Sequence, residues 1–208
     1  IFSMMAPNRR KEKKLSMIER LMETYDLTDD MSHLEEKEIF LESTSSMVFD
    51  RVNRIVYAGI SPRTNAVQLI IWCRHNNYEL VLFETESHTG SAIYHTDVLM
   101  YVGTDIIGIC FDVVKPEHID YVKEKVRKHH QVVELSSEQI EEFCGNAIES
   151  KNEDDDLFLI MSSRAFKALN QEQINKLLTS YKEIIHSDIP TIEKYGGGSA
   201  RCMLTELF

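Results

Sequence analysis

A chain of 208 residues can bury one well-formed core or supply part of a larger domain. Its formal net charge of −11 argues against broad phosphate-backbone binding, which needs a concentrated basic face. No apolar run approaches the roughly 18 residues that span a membrane, so neither a nucleic acid nor a membrane is an expected partner. The basic cluster Arg9-Arg10-Lys11 with Lys13-Lys14 is interleaved with Glu12 and reads as a solvated helix start. The four cysteines, Cys73, Cys110, Cys144 and Cys202, form no CxxC pair, and Cys73 and Cys110 lie in apolar runs. That pattern disfavours a disulfide framework and a zinc site and points to a reducing, cytoplasmic setting.

Taken in order, Ile1 to Met5 reads as a short strand already under way, which predicts native residues ahead of Ile1. Leu15, Ile18, Met22 and Tyr25 mark one face of a helix. A polar loop runs from Asp26 to Ser32, and Ile39-Phe40-Leu41 is a brief strand. Met47-Val48-Phe49 and Arg54 to Ala58 are predicted to pair. Ser61-Pro62 predicts a helix start, with Ser as cap and Pro at the first helical position. Tyr78 to Phe83 is a strand. Ile93 to Val102 and Ile106 to Val114 are two more, joined by the hairpin signal Gly103-Thr104-Asp105. Pro116 opens a helix with Ile119, Val122 and Val126 inward. Val132 to Leu135 is a strand, Ser137 to Phe143 a short helix, and Ala147-Ile148-Glu149 another strand. After the acidic turn Asn152 to Asp156 come the strand Leu157 to Met161 and two helical stretches, the second carrying Ile174, Leu177, Leu178, Tyr181 and Ile185. The order strand, strand, helix, strand recurs without a sequence repeat, which fits mixed sheets better than a doubly wound parallel sheet.

The stretch Gly196-Gly197-Gly198-Ser199-Ala200-Arg201-Cys202 stands apart. Three glycines cost backbone entropy and imply a positive-φ turn or a ligand lying against the backbone. A cation, Arg201, and a backbone amide nest beside Cys202 would favour a thiolate, so Cys202 is a candidate nucleophile; a free cysteine packed in a core is the plainer alternative. In His95-Thr96-Asp97, read as the start of a strand, side chains two apart share a face. His95 is then a candidate general acid/base and Asp97 a substrate-binding carboxylate, against an exposed strand end. Glu42, by composition alone, is a solvated loop residue. Asn146, in Cys144-Gly145-Asn146, breaks an apolar context at what could be a plain turn.

Three motifs in this order resemble the guanidine- and ureido-modifying superfamily, the arginine deiminases, dimethylarginine hydrolases and amidinotransferases of the pentein fold. They are Phe40-Leu41-Glu42, His95-Thr96-Asp97 and Gly196 to Met203. Ala6-Pro7-Asn8-Arg9-Arg10, Val48 to Arg54, Ser61-Pro62-Arg63, Ile93-Tyr94 and Gly145-Asn146 add to the likeness, which runs along the whole chain and is nearest to the bacterial amidinotransferase-like branch that includes citrulline hydrolases. The resemblance implies an α/β propeller of ββαβ modules over residues 1–208, a single catalytic domain incomplete at its N-terminus. In the family an Asn-rich segment of the first module contributes to the substrate pocket, and that segment is absent here. Ser43 and Ser45 stand where the family often has glycine.

It further implies that Cys202 attacks a guanidino or ureido carbon, that His95 protonates the leaving nitrogen and then activates water, and that Glu42 and Asp97 accept hydrogen bonds from substrate nitrogens. Arg201 or Arg63 would hold a substrate carboxylate, with Gly198 and Asn146 also at the substrate. No metal or organic cofactor is needed, and a homodimer is possible. Citrulline hydrolysis to ornithine is the narrower expectation. Amidino transfer uses the same residues. A non-catalytic binding protein on this scaffold is disfavoured by the presence of both Cys202 and His95.

Overall fold

The computed structural model describes residues 1–204 and 206; Thr205, Leu207 and Phe208, at the close of the glycine-led stretch, lie outside the described residues. Among the described residues, three sheets repeat one plan. In the first, β1 (Val48–Asp50) pairs antiparallel with β2 (Ile55–Gly59), the helix Ala66–His75 crosses over, and β3 (Glu79–Phe83) pairs parallel with β2. In the second, β4 (Met100–Val102) and β5 (Ile106–Ile109) form the hairpin, the helix Pro116–Arg127 crosses, and β6 (Gln131–Glu134) returns parallel to β5. In the third, β7 (Ile148–Lys151) and β8 (Leu157–Ser162) pair antiparallel. The helices Ser163–Ala168 and Gln171–Leu177 then lead to β9 (Glu183–Ser187), parallel to β8. The ββαβ order expected from the sequence is therefore present three times.

The modules share one core. Tyr57, Val81 and Phe83 of the first, Tyr101, Ile106 and Ile107 of the second, and Leu159, Met161 and Tyr181 of the third belong to a single buried apolar cluster. The opening strands meet, β1 against β4 and β4 against β7. Middle strands are consequently covered on both faces, and the unbroken apolar runs of β2 and β5 follow from that.

Several local expectations are corrected. Ile1 to Met5 makes no strand. The amides of Met4 and Met5 go instead to the carboxylates of Glu35 and Glu42, at 2.8 and 2.7 Å. Ile39 to Leu41 is reduced to one bridge, Leu41 to Thr64. Ser61-Pro62 does not start a helix. The Ser61 hydroxyl accepts from Arg63 N and donates to Tyr94 O, closing a turn, and the helix begins only at Ala66, capped by Asn65. Ile185 lies in β9 rather than on a helix. The helix Leu15–Met22 forms as expected, but Leu15, Met17 and Met22 on it are exposed.

The strand expected over 93–102 is split, which matters most for the site. Thr96–Leu99 is a single helical turn, His95 is its extended N-cap, and the strand starts at Met100. The Thr96 hydroxyl fixes that turn, donating to Ser46 O at 2.7 Å and accepting from Gly59 N at 2.9 Å. A local helix here satisfies two other segments' backbone groups, which a strand could not.

Candidate active site

A cavity of about 650 Å³ opens between the N-terminal segment, the 94–95 turn and the glycine loop. Arg63, Tyr94, His95, Gly198 and Cys202 line it, joined by Asn8, Arg9 and Ser45. Its size suits a small organic molecule, for which pockets run roughly 300–1,000 Å³.

On one wall, His95 Nε2 lies 2.6 Å from Glu42 Oε2. Glu42 is buried, its Oε1 accepts from Met5 N at 2.7 Å, and Arg63 Nη1 donates to Oε2 at 3.2 Å. Burial alone would raise the Glu42 carboxyl. The hydrogen bonds from His95 and Met5, with the charges of His95 and Arg63, outweigh it and hold the group below its ordinary value. An ionised carboxylate can only accept, so Nε2 carries the proton and Nδ1 is the ring nitrogen left over for chemistry. Tyr94 packs on the imidazole at 4.8 Å and donates its hydroxyl to Gly197 O at 3.0 Å, tying this wall to the glycine loop.

On the other wall is Cys202. Its sulfur accepts from Asn146 Nδ2 at 3.3 Å and lies 3.8 Å from Asp97 Oδ2. Asp97 is buried, faces Arg201 Nε at 3.9 Å, and leaves Oδ1 without a hydrogen-bond partner among the described residues. Burial raises the Asp97 carboxyl, and the opposing pulls of His95, Arg201, Cys202 and Ser45 do not cancel it. The thiol is likewise pushed above its ordinary value. The residue is exposed on the cavity side, but the packed protein behind the sulfur dominates, followed by the charge of Asp97. The hydrogen bond from Asn146, the Ser199 amide and the charge of Arg201 act the other way and are outweighed. The cation and the loop amide thus favour the thiolate in the expected direction, but burial and the Asp97 charge outweigh them.

Each glycine of the loop has its own reason. Gly196 ends the helix Pro190–Gly196 and Gly197 caps it at φ 72°, in the left-handed region. At Gly198 a Cβ would fall 2.7 Å from Cys202 Sγ, so the close approach is that of the chain's own thiol.

The residues singled out from sequence therefore sort into two layers. Cys202, His95, Arg63 and Gly198 line the cavity. Glu42, Asp97, Asn146 and Arg201 are buried behind it. Glu42 is bonded to His95, Asn146 to the Cys202 sulfur, and Arg201 pairs with Asp97 and, at 3.6 Å, with Glu206. His95 and Asp97 do not share a strand face, because a helical turn sends them to different sides of the site. Sequence reasoning gave no role to Tyr94 or Arg9; their proximity to the motifs was visible, but their contacts with Gly197 and Gly196 carbonyls depend on the fold. Among the described residues, no group of three or more His, Cys, Asp or Glu is arranged to hold a metal ion.

Repeated ββαβ modules around a shared core, with Cys202 and His95 facing one cavity, make this a pentein-fold protein. The cyanobacterial arginine dihydrolase ArgZ shares the fold with a TM-score of 0.75 and 14% identity over 100% of this chain and 31% of that one. The N-terminal domain of ArgZ bound to substrate matches with a TM-score of 0.69 and 16% identity, over 94% of this chain and 65% of that one. A dimethylarginine dimethylaminohydrolase, solved as an adduct with 4-chloro-2-hydroxymethylpyridine, matches with a TM-score of 0.64 and 19% identity, covering 98% and 70%. At such identities the likeness is one of fold, and the chain spans about a third of full-length ArgZ. No curated protein matches it in sequence. The model of the family N,N dimethylarginine dimethylhydrolase, eukaryotic, matches residues 1–208, and the chain belongs to that family.

Proposed function

We propose that this chain carries the reacting residues of a cysteine-dependent hydrolase that cleaves a C–N bond in the guanidino or ureido group of an arginine-like amino acid. The carrying observation is that a thiol and an imidazole line one cavity, each backed by a buried carboxylate, Asp97 behind Cys202 and Glu42 behind His95. The substrate carbon is a poor electrophile, so a sulfur nucleophile and a proton donor for the leaving nitrogen are both required. The Cys202 thiol gives its proton to His95 as the sulfur bonds to that carbon, and the C–N bond breaks as His95 passes the proton on to the departing amine. Water, deprotonated by His95, then displaces the sulfur and regenerates the thiol. Arg63, on the cavity wall, is placed to hold the substrate carboxylate, whereas Arg201 is buried away from it.

The resting charges favour a cationic guanidinium over a neutral ureido group. A thiol pushed up by burial and by Asp97 is released as thiolate when a positive charge binds beside it, and Asp97 Oδ1 offers an unfilled acceptor there. The motif likeness to citrulline hydrolases supports the second reading, citrulline to ornithine. The test is incubation of the full-length protein with arginine, dimethylarginine and citrulline, following ammonia, dimethylamine, citrulline and ornithine, beside Cys202→Ala. Turnover of one substrate with a loss of at least about a thousandfold in the variant is expected. Undiminished turnover by Cys202→Ala would overturn the assignment.

A further inference from the structure

Asn146 is 2% exposed and sits beside the Cys202 sulfur rather than on the cavity lining. Both of its donors and its oxygen are engaged at the site. Nδ2 donates to Cys202 Sγ and to Asp97 O, each at 3.3 Å, and Oδ1 accepts from Ser199 N at 3.2 Å. Flipping the amide would set its oxygen against a carbonyl and a sulfur and its NH₂ against an N–H, so the orientation is fixed by its partners. The network continues inward. Ser199, fully buried, donates its hydroxyl to Glu193 Oε1 at 2.8 Å, and Glu193 sits on the helix that delivers the glycine loop. The backbone is shaped to bring Asn146 here. Phe143 takes a left-handed φ of 66°, and Asn146 N closes a turn onto Phe143 O at 2.9 Å. A Cβ at Gly145 would fall 2.2 Å from Val98 O, so only glycine lets this turn lie against the helical turn that carries Asp97.

We propose that Asn146 is a positioning residue for the nucleophile: it holds the Cys202 sulfur in register with the Asp97 turn through one nitrogen and anchors the glycine loop through its oxygen. This rests on the nucleophilic reading of Cys202. A side-chain N–H aimed at sulfur is worth more to S⁻ than to S–H, so the same contact helps the thiolate form. Aspartate keeps the size and the acceptor for Ser199 N but replaces the donor by a negative oxygen facing the sulfur and the Asp97 carbonyl. Alanine removes both contacts.

The test is the pH dependence of Cys202 alkylation by iodoacetamide in the full-length protein, read on its peptide by mass spectrometry, for the native chain, Asn146→Asp and Asn146→Ala. The other cysteines, Cys73, Cys110 and Cys144, are buried. The midpoint is expected to rise by about one pH unit in Asn146→Asp and by less in Asn146→Ala, and kcat/KM to fall about tenfold per unit at neutral pH. The titration needs no substrate, so it reads the thiol even if the hydrolase reading fails. An unchanged midpoint in whichever variant folds would overturn the proposal. So would failure of both to fold, since Asn146 would then serve the fold and not the thiol.

Discussion

At Cys202 a carboxylate and a guanidinium compete for one sulfur. Asp97 Oδ2 lies 3.8 Å from it, while Arg201 is itself drawn to Asp97 and Glu206. Burial and the Asp97 charge raise the thiol, and Arg201 recovers only part of that. The sign gives a distinctive expectation for Asp97→Asn. Removing the anion lowers the Cys202 midpoint and makes the free thiol more reactive toward iodoacetamide at neutral pH, while turnover of the proposed guanidino substrate falls by at least about a hundredfold because the negative charge and one acceptor facing it are lost. A variant that alkylates more slowly than the native chain would contradict this charge balance. At His95 the partner is the more ordinary one. Glu42→Gln keeps the shape but removes the charge and one acceptor, so imidazole orientation is lost, and kcat is expected to drop by about a hundredfold or more with KM changed little. Steady-state kinetics on the folded variant decide it, and a change confined to KM would return Glu42 to the role of a substrate contact.

The glycine loop shows how two adjacent glycines serve different ends. Gly197 is a helix cap at φ 72° with nothing near its absent Cβ; Gly198 faces the sulfur. Gly197→Ala should therefore cost stability, about 1 kcal/mol for a left-handed alanine, and little activity. Gly198→Ala should displace Cys202 and remove activity while the melting temperature hardly moves. Melting curves and rates on the two variants separate these effects, and equal losses of activity in both would refute the division. The same loop marks the limit of what the sequence discloses. Glycine runs, Cys202 and His95 were legible because residue type alone constrains them. The ββαβ order was legible because hydrophobic periods switch between strand and helix. The helical turn at Thr96 to Leu99 was not, since Val98-Leu99-Met100-Tyr101-Val102 has strand composition and only the Thr96 bonds to Ser46 and Gly59 override it. For the same reason the burial of Glu42, Asp97 and Asn146 was not legible: it is set by tertiary packing, and spacing along the chain carries no trace of it.

Across the whole molecule, the modules are joined by apolar packing and by buried polar contacts, among them an ionisable pair between the first and the second. His130, just before β6, places Nε2 3.5 Å from Asp50 Oδ2 at the end of β1, and both side chains are buried. Asp50 also accepts from Asn53 N and Nδ2 at 2.9 Å, whereas neither ring nitrogen of His130 has a hydrogen-bond partner among the described residues. Burial lowers the His130 pKa, and the attraction of Asp50 does not restore it. The unfolded chain then binds a proton more readily than the folded one. Stability is therefore lost as pH falls below the ordinary histidine value of 6.5, and levels only below the lower folded value. Glu42 acts in a separate window: held below 4.5, it contributes stability that is complete above that value and lost as pH falls through its folded pKa. Asp97, raised above 3.8, opposes both, its contribution being present at low pH and lost as pH rises through its folded value. Comparing chains that differ only at residue 130 isolates the histidine. His130→Leu fills the site with apolar volume and leaves Asp50 its Asn53 partners, so stability at pH 7.5 should stay within about 1 kcal/mol of native. Between pH 7.5 and 5.5 the native protein should lose urea resistance more steeply than the variant. Equal slopes over that interval would show that the contact between the modules does not titrate there.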